Sequence, residues 1–158
     1  LGDVYKRQKY DSTVLYGLEA GKYRLALKTP KDQIINVEYT RDKSKKKAAY
    51  KKSKAIHLKS DIDSIYTSTE KAARWYKVSV KSSKKQSKLK ILTVADQGGF
   101  KFTIYERGKK KPVKTVKTSA KHLEKTVKLP KKKGAYYVKV TKLTSKTTGA
   151  YYLGTYTY

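Results

Sequence analysis

The chain has 158 residues, of which 37% are hydrophobic, and carries a formal net charge of +28 from 40 Lys and Arg against 12 Asp and Glu. It holds no Cys, which excludes a disulfide framework, a thiolate nucleophile and a zinc-ribbon site. No apolar run approaches the roughly 18 residues that a membrane-spanning helix needs.

The 15 Tyr, together with Val, Ile and Leu, suit a half-buried pleated surface and point to sheet. Lys supplies nearly all the charge, since Arg occurs only as Arg7, Arg24, Arg41, Arg74 and Arg107. Arg reads phosphates and bases bidentately, whereas Lys is a hydrated point charge on a flexible stem. Such a surface suits diffuse attraction to a polyanion better than sequence-specific reading. Outward Lys also keeps strand edges soluble and unpaired, and composition alone leaves both explanations open.

In chain order, Asp3-Val4-Tyr5-Lys6-Arg7-Gln8 resembles the translated end of a transposase adapter used in sequencing libraries. Residues 1–8 are therefore read as a non-native leader and set aside from the fold. A repeat follows. Thr13-Val14 precedes Gly21-Lys22-Tyr23-Arg24-Leu25-Ala26-Leu27, and Thr126-Val127 precedes Gly134-Ala135-Tyr136-Tyr137-Val138-Lys139-Val140 at the same spacing. Residues 9–40 are thus expected to be the C-terminal strands of a truncated first β-sandwich repeat. Residues 41–54, dominated by Lys, Ala and Ser, are either a basic arm or, as preferred, a Lys-rich linker into a complete β-sandwich domain at 55–158.

Within 55–158 apolar residues alternate with Lys, Ser and Thr. Tyr76, Val78 and Val80 share one face, as do Leu89 and Ile91, then Phe100, Phe102 and Ile104, then Leu123, Val127 and Leu129, then Tyr136, Val138 and Val140. Gly98-Gly99, Gly108 to Pro112 and Pro130 to Gly134 punctuate these runs as turns. Only Ser68 to Ala73 suggests a short helical piece. The expectation is an all-β, antiparallel β-sandwich with Lys outward.

The order of Arg74-Trp75-Tyr76-Lys77-Val78-Ser79-Val80, Lys88 to Val94, Phe100 to Glu106, Gly134 to Val140 and Gly149-Ala150-Tyr151-Tyr152-Leu153 resembles the bacterial pre-peptidase C-terminal domain over roughly residues 50–158. The resemblance implies a jelly-roll-like β-sandwich, attached as an accessory module to a larger secreted or surface protein. It also implies ligands of the kinds bound by relatives, namely collagen, polysaccharide or calcium. Two departures weigh against calcium: Arg74 stands where relatives often carry Asp, and Lys abounds where they carry Asp and Asn.

Little in the sequence offers catalysis. The two His, His57 and His122, lie in no nucleophile elbow or zinc-protease motif. Asp61 and Asp63 are the close acidic pair and read as a polar turn more readily than as part of a cation site, and Asp96 reads as turn chemistry. No cofactor or metal site is expected, and the chain is not expected to be an enzyme. Trp75, Lys77, Tyr137 and Lys139 occupy outward strand positions that could stack bases. Without a Gly-rich phosphate loop, no specific nucleic-acid partner is expected.

What remains is the charge. The expected function is anchoring to an anionic cell-wall polymer such as teichoic acid, or to an acidic polysaccharide, outside the cell or at its surface. The candidate ligand residues are Lys45, Lys46, Lys47, Lys51 and Lys52; Lys109, Lys110 and Lys111; Lys131, Lys132 and Lys133; and Trp75 as a sugar-stacking ring. The alternatives are a structural spacer or a regulatory appendage of a secreted hydrolase.

Overall fold

The computed structural model describes residues 22, 24, 26, 48–59, 64–67, 73–94, 98–119, 123–147 and 149–157, with the backbone alone at 64–67 and 94. The expected leader and nearly all of the expected first repeat lie outside the described residues. So do Lys45, Lys46, Lys47, Asp61, Asp63, Asp96 and His122, and all of the suggested helical piece except Ala73.

Nine strands follow in chain order: β1 (Ile56–His57), β2 (Ser64–Thr67), β3 (Arg74–Val80), β4 (Ser87–Val94), β5 (Phe100–Glu106), β6 (Pro112–Lys117), β7 (Leu123–Lys128), β8 (Gly134–Lys142) and β9 (Ala150–Thr157). They form a five-stranded sheet in the order β1-β3-β8-β5-β6 and a four-stranded sheet in the order β2-β9-β4-β7. Every pair is antiparallel except the short β1, which runs parallel to β3. From β2 onward this is the jelly-roll order, in which all but one connection crosses between sheets and only β5 to β6 is a hairpin. Among the described residues no helix is long and apolar enough to cross a membrane.

The expected alternation is what seals the sandwich. Tyr76, Val78 and Val80 of β3, Phe100, Phe102 and Ile104 of β5, and Tyr136, Val138 and Val140 of β8 face Leu89, Ile91, Val127, Tyr151 and Leu153 of the other sheet in one continuous core. The centre is aromatic. Tyr151 lies edge-on to Tyr76, Phe100 and Phe102, with ring centroids 6.1, 5.1 and 5.7 Å away. Such edge-to-face pairs add about 0.5–1.5 kcal/mol each beyond their buried area. The hydroxyls of Tyr76 and Tyr151 meet at 2.7 Å, so a hydrogen bond ties the two sheets inside the core.

Three details depart from or extend the sequence reading. Strand β6 was not anticipated, because Pro-Val-Lys-Thr-Val-Lys buries only Val116 and so shows no two-residue period. Pro112 is tolerated because it opens an edge strand, where a missing N–H costs little. Leu123, expected in the core with Val127 and Leu129, is only half-buried. Finally, of the expected linker, residues 48–54 dock on the domain. Ala49 is buried, its carbonyl accepts the Trp75 N–H at 2.8 Å, and Lys52–Lys54 form one turn of 3-10 helix.

At the far end of the sandwich Thr147 clamps the start of β5. Its hydroxyl accepts from the Gly99 N–H at 3.2 Å and donates to the Gly99 carbonyl at 3.0 Å. Gly98 makes this approach possible, since its φ of +66° suits glycine and a Cβ there would lie 2.3 Å from the Thr147 hydroxyl.

Among the described residues two buried hydroxyls, those of Thr93 and Thr141, have no hydrogen-bond partner. Thr93 is fully buried in β4 and its hydroxyl makes no hydrogen bond. A buried unsatisfied hydroxyl costs about 1–3 kcal/mol, and valine has nearly the same shape. Thr93→Val is therefore expected to raise the thermal unfolding midpoint by a few degrees, measured by circular dichroism. A drop instead would show that the hydroxyl is satisfied.

Candidate functional site

The jelly-roll path decides where the Lys-rich turns go. Odd-numbered strands from β3 onward run towards one end of the sandwich, so the connections β3–β4, β5–β6 and β7–β8 all lie there. Register confirms the convergence: Val80 pairs with Gly134, Glu106 with Tyr136, and Lys88 with Lys128. These three turns carry Lys81, Lys84 and Lys85; Arg107, Lys109, Lys110 and Lys111; and Lys131, Lys132 and Lys133, all of them exposed. Within the same segments and their immediate flanks Glu106 is the one carboxylate. By sequence the connections joining even to odd strands hold Lys71, Lys121 and Lys146 against Glu70 and Asp96, so the two sets of connections differ in charge.

The turns are fixed by hydrogen bonds. The Arg107 N–H donates to the Ala135 carbonyl at 2.9 Å, and the Lys109 N–H donates to the Glu106 carbonyl at 3.1 Å. Gly108, with φ +76°, takes the left-handed position of that turn. The Gln86 side chain donates to the Leu129 carbonyl at 2.7 Å and so ties the first turn to the third. In the third turn the Lys132 N–H donates to the Pro130 carbonyl at 2.8 Å, and the Tyr136 hydroxyl donates to the Lys132 carbonyl at 3.3 Å. Ten cationic side chains therefore project from a braced framework.

Glu106 is the local counter-charge. Lys132 Nζ lies 2.6 Å from its Oε1. The hydrogen bond from Lys132 holds the Glu106 carboxyl below the ordinary carboxylate range, and Glu106 in turn raises Lys132. Burial, reinforced by Glu106, pushes the Tyr136 phenol up. The pair is thus fully charged at neutral pH. Because the carboxyl value is depressed and the ammonium value raised on folding, the pair's contribution to stability holds across neutral pH and is lost as pH falls through the one or rises through the other.

The remaining candidates sit elsewhere. Trp75 lies half-buried on the outer face of the five-stranded sheet, and Lys52 reaches over the same face. Lys51 is exposed beside it. The structure therefore brings Lys109–Lys111 and Lys131–Lys133 together but places Lys51, Lys52 and Trp75 on an adjoining face. Lys81, Lys84, Lys85 and Arg107 were missed because nothing local marks them; only the jelly-roll order, which alternates the ends, could have added them.

Neither the His nor the acidic residues form a catalytic constellation among the described residues. His57 Nε2 is 3.0 Å from Ser79 Oγ on the exposed sheet face, and no carboxylate there bonds to the ring to orient it. No group of three potential metal ligands is present among the described residues. An open groove between edge strands β6 and β7 is lined by Lys114, Thr115, Val116, Lys117, Glu124, Lys125, Thr126 and Val127.

The fold is that of the pre-peptidase C-terminal domain. The crystal structure of that domain of collagenase from Bacillus anthracis superposes with a TM-score of 0.52 at 16% identity, covering 65% of this chain and 94% of that one. A carbohydrate binding module from Cellvibrio mixtus lichenase 5A, in complex with cellotriose, matches with a TM-score of 0.35 at 16% identity, over 62% of this chain and 90% of that one. No family model matches the sequence, and no curated protein matches it.

Removing the one carboxylate at the basic end should strengthen polyanion binding. Glu106→Gln releases Lys132 and adds one positive charge, which by the counterion-release relation adds roughly one ion to the salt dependence. The variant is expected to elute from immobilised dextran sulfate at higher salt than the parent. Elution at the same or lower salt would show that this end makes no contact with the polymer.

Proposed function

We propose that the chain is a non-catalytic accessory module of an extracellular protein, and that it anchors that protein to an anionic polymer through the basic end of the sandwich. Teichoic acid of a bacterial wall or an acidic polysaccharide are the partners whose chemistry fits. The observation that carries the proposal is the convergence of three Lys-bearing turns on one end, set by strand order, with one carboxylate among them. Charge spread only for solubility has no reason to gather there. Long Lys side chains from separate turns can follow a flexible chain of anions, and their combined field speeds encounter.

The fold shared with the pre-peptidase C-terminal domain of a collagenase supports the accessory and extracellular reading. The domain plan belongs to the same proposal, with the docked residues 48–54 favouring a sandwich that starts somewhat before residue 55. The spacer reading draws support from the edge strands, where Lys114, Lys117, Lys125 and Lys128 are exposed and would discourage pairing between molecules.

Sedimentation with purified Gram-positive cell walls, before and after removal of teichoic acid, tests the proposal. Retention is expected at physiological salt, to fall as salt rises because surface charges are screened over about 10 Å at 0.1 M, and to need the anionic polymer. Substituting Lys131, Lys132 and Lys133 together by Gln should weaken retention at least tenfold. The same change at Lys114, Lys117 and Lys125 removes equal charge and should matter much less. Equal losses from both triple variants, or no retention at any salt, would favour the spacer.

A further inference from the structure

We infer that the outer face of the five-stranded sheet carries a sugar-stacking platform, built from Trp75, Tyr105 and Tyr137 with Lys52 and Lys139, and that its ligand is an acidic glycan chain. The inference rests on the polyanion reading and narrows it, from any anionic polymer to one made of sugar rings.

Strand order makes the platform. β8 lies between β3 and β5, and the register sets Trp75 opposite Lys139, and Tyr137 opposite Lys77 on one side and Tyr105 on the other. Alternation sends all of these outward, since Tyr76, Val138 and Ile104 between them point into the core. The Trp75 and Tyr105 ring centroids are 5.7 Å apart with planes inclined by 39°. Lys52 Nζ stands 4.9 Å from the Tyr137 ring centroid, 5.4 Å from Tyr105 and 5.9 Å from Trp75, and Lys139 Nζ stands 5.7 Å from Trp75.

None of the three rings is needed to close the core, and each is only half-buried. Three large aromatic residues on this face therefore keep part of their surface open to a ligand beside Lys52. The aromatic faces are electron-rich, and the C–H bonds on the apolar side of a pyranose ring are weakly positive, so the two pack well. The ammonium groups of Lys52 and Lys139, which lie over the rings, are placed to pair with a carboxylate or sulfate on the same sugar. Tyr105 leads directly through Glu106 into the basic turn, so one chain could run from the turns onto the platform. Bases also stack on aromatic rings, but the inclined pair offers a puckered sugar a better seat than it offers two successive flat bases.

Trp75 is the single Trp of the chain, so emission excited beyond the absorption of the 15 Tyr reports on this face alone. Oligogalacturonate, inorganic polyphosphate and oligothymidylate of matched charge would be titrated into the full chain at physiological salt, with binding followed separately by ultracentrifugation. Oligogalacturonate is expected to change Trp75 emission saturably. Polyphosphate is expected to bind without doing so. Tyr105→Ala with Tyr137→Ala should weaken oligogalacturonate at least tenfold and polyphosphate less than twofold. Lys52→Gln, a surface change that leaves the rings intact, should weaken oligogalacturonate severalfold. Oligogalacturonate that binds without moving Trp75 emission would overturn the platform and leave the basic end standing, as would equal emission changes with polyphosphate. A stronger response to oligothymidylate would replace the glycan by single-stranded nucleic acid. Failure of all three probes to bind would overturn the anionic-polymer reading itself.

Discussion

Forty basic residues against twelve acidic ones leave this chain unable to neutralise itself, and the fold is shaped by that constraint. Among the described residues two ion pairs are formed between side chains, Lys90 with Glu124 at 3.5 Å and Lys132 with Glu106 at 2.6 Å. An ammonium left without a partner must stay in water, because burying it unpaired is prohibitively costly. A strand solves this at each second residue, sending Lys out and Val, Tyr, Phe or Ile in. Two sheets closing face to face then hold a core without any charge, from Tyr76 and Tyr151 at its centre to Leu129 near its basic end.

The same constraint explains why strands could be read from sequence. Where Lys alternates with apolar residues, as in Phe100 to Ile104 or Tyr136 to Val140, the period is unmistakable and the structure keeps it. Strand β6 shows where the signal fails. An edge strand buries little, so Val116 alone marks it, and Pro112 at its start reads as a turn. Residues 48–54 were obscured in a similar way, because a Lys-rich composition says linker while the Ala49 carbonyl and the Lys52 ammonium are held by β3 and by rings of three different strands.

The candidate sites were legible only in pieces. Lys109–Lys111 and Lys131–Lys133 stand out as runs, and Trp75 stands out as a unique residue. That the two runs share an end, that Lys81, Lys84 and Lys85 join them, and that Trp75, Tyr105 and Tyr137 form one surface all depend on the order β3-β8-β5. That order is set by pairing between residues tens of positions apart, which local pattern does not encode. The fold, shared at 16% identity with the pre-peptidase C-terminal domain of a collagenase, is no guide to the ligand.

A backbone-amide NMR titration of the full chain with a short oligo(glycerol phosphate) would test the central claim, engagement of the basic end, most directly. Residues 81–86, 107–111 and 129–133 are expected to shift together, with one common dissociation constant, while Gly99 and Thr147 at the far end stay in place. Shifts spread evenly over the Lys of both sheets, or centred on the far end, would contradict a polymer site at the basic end and leave the charge as a means of solubility.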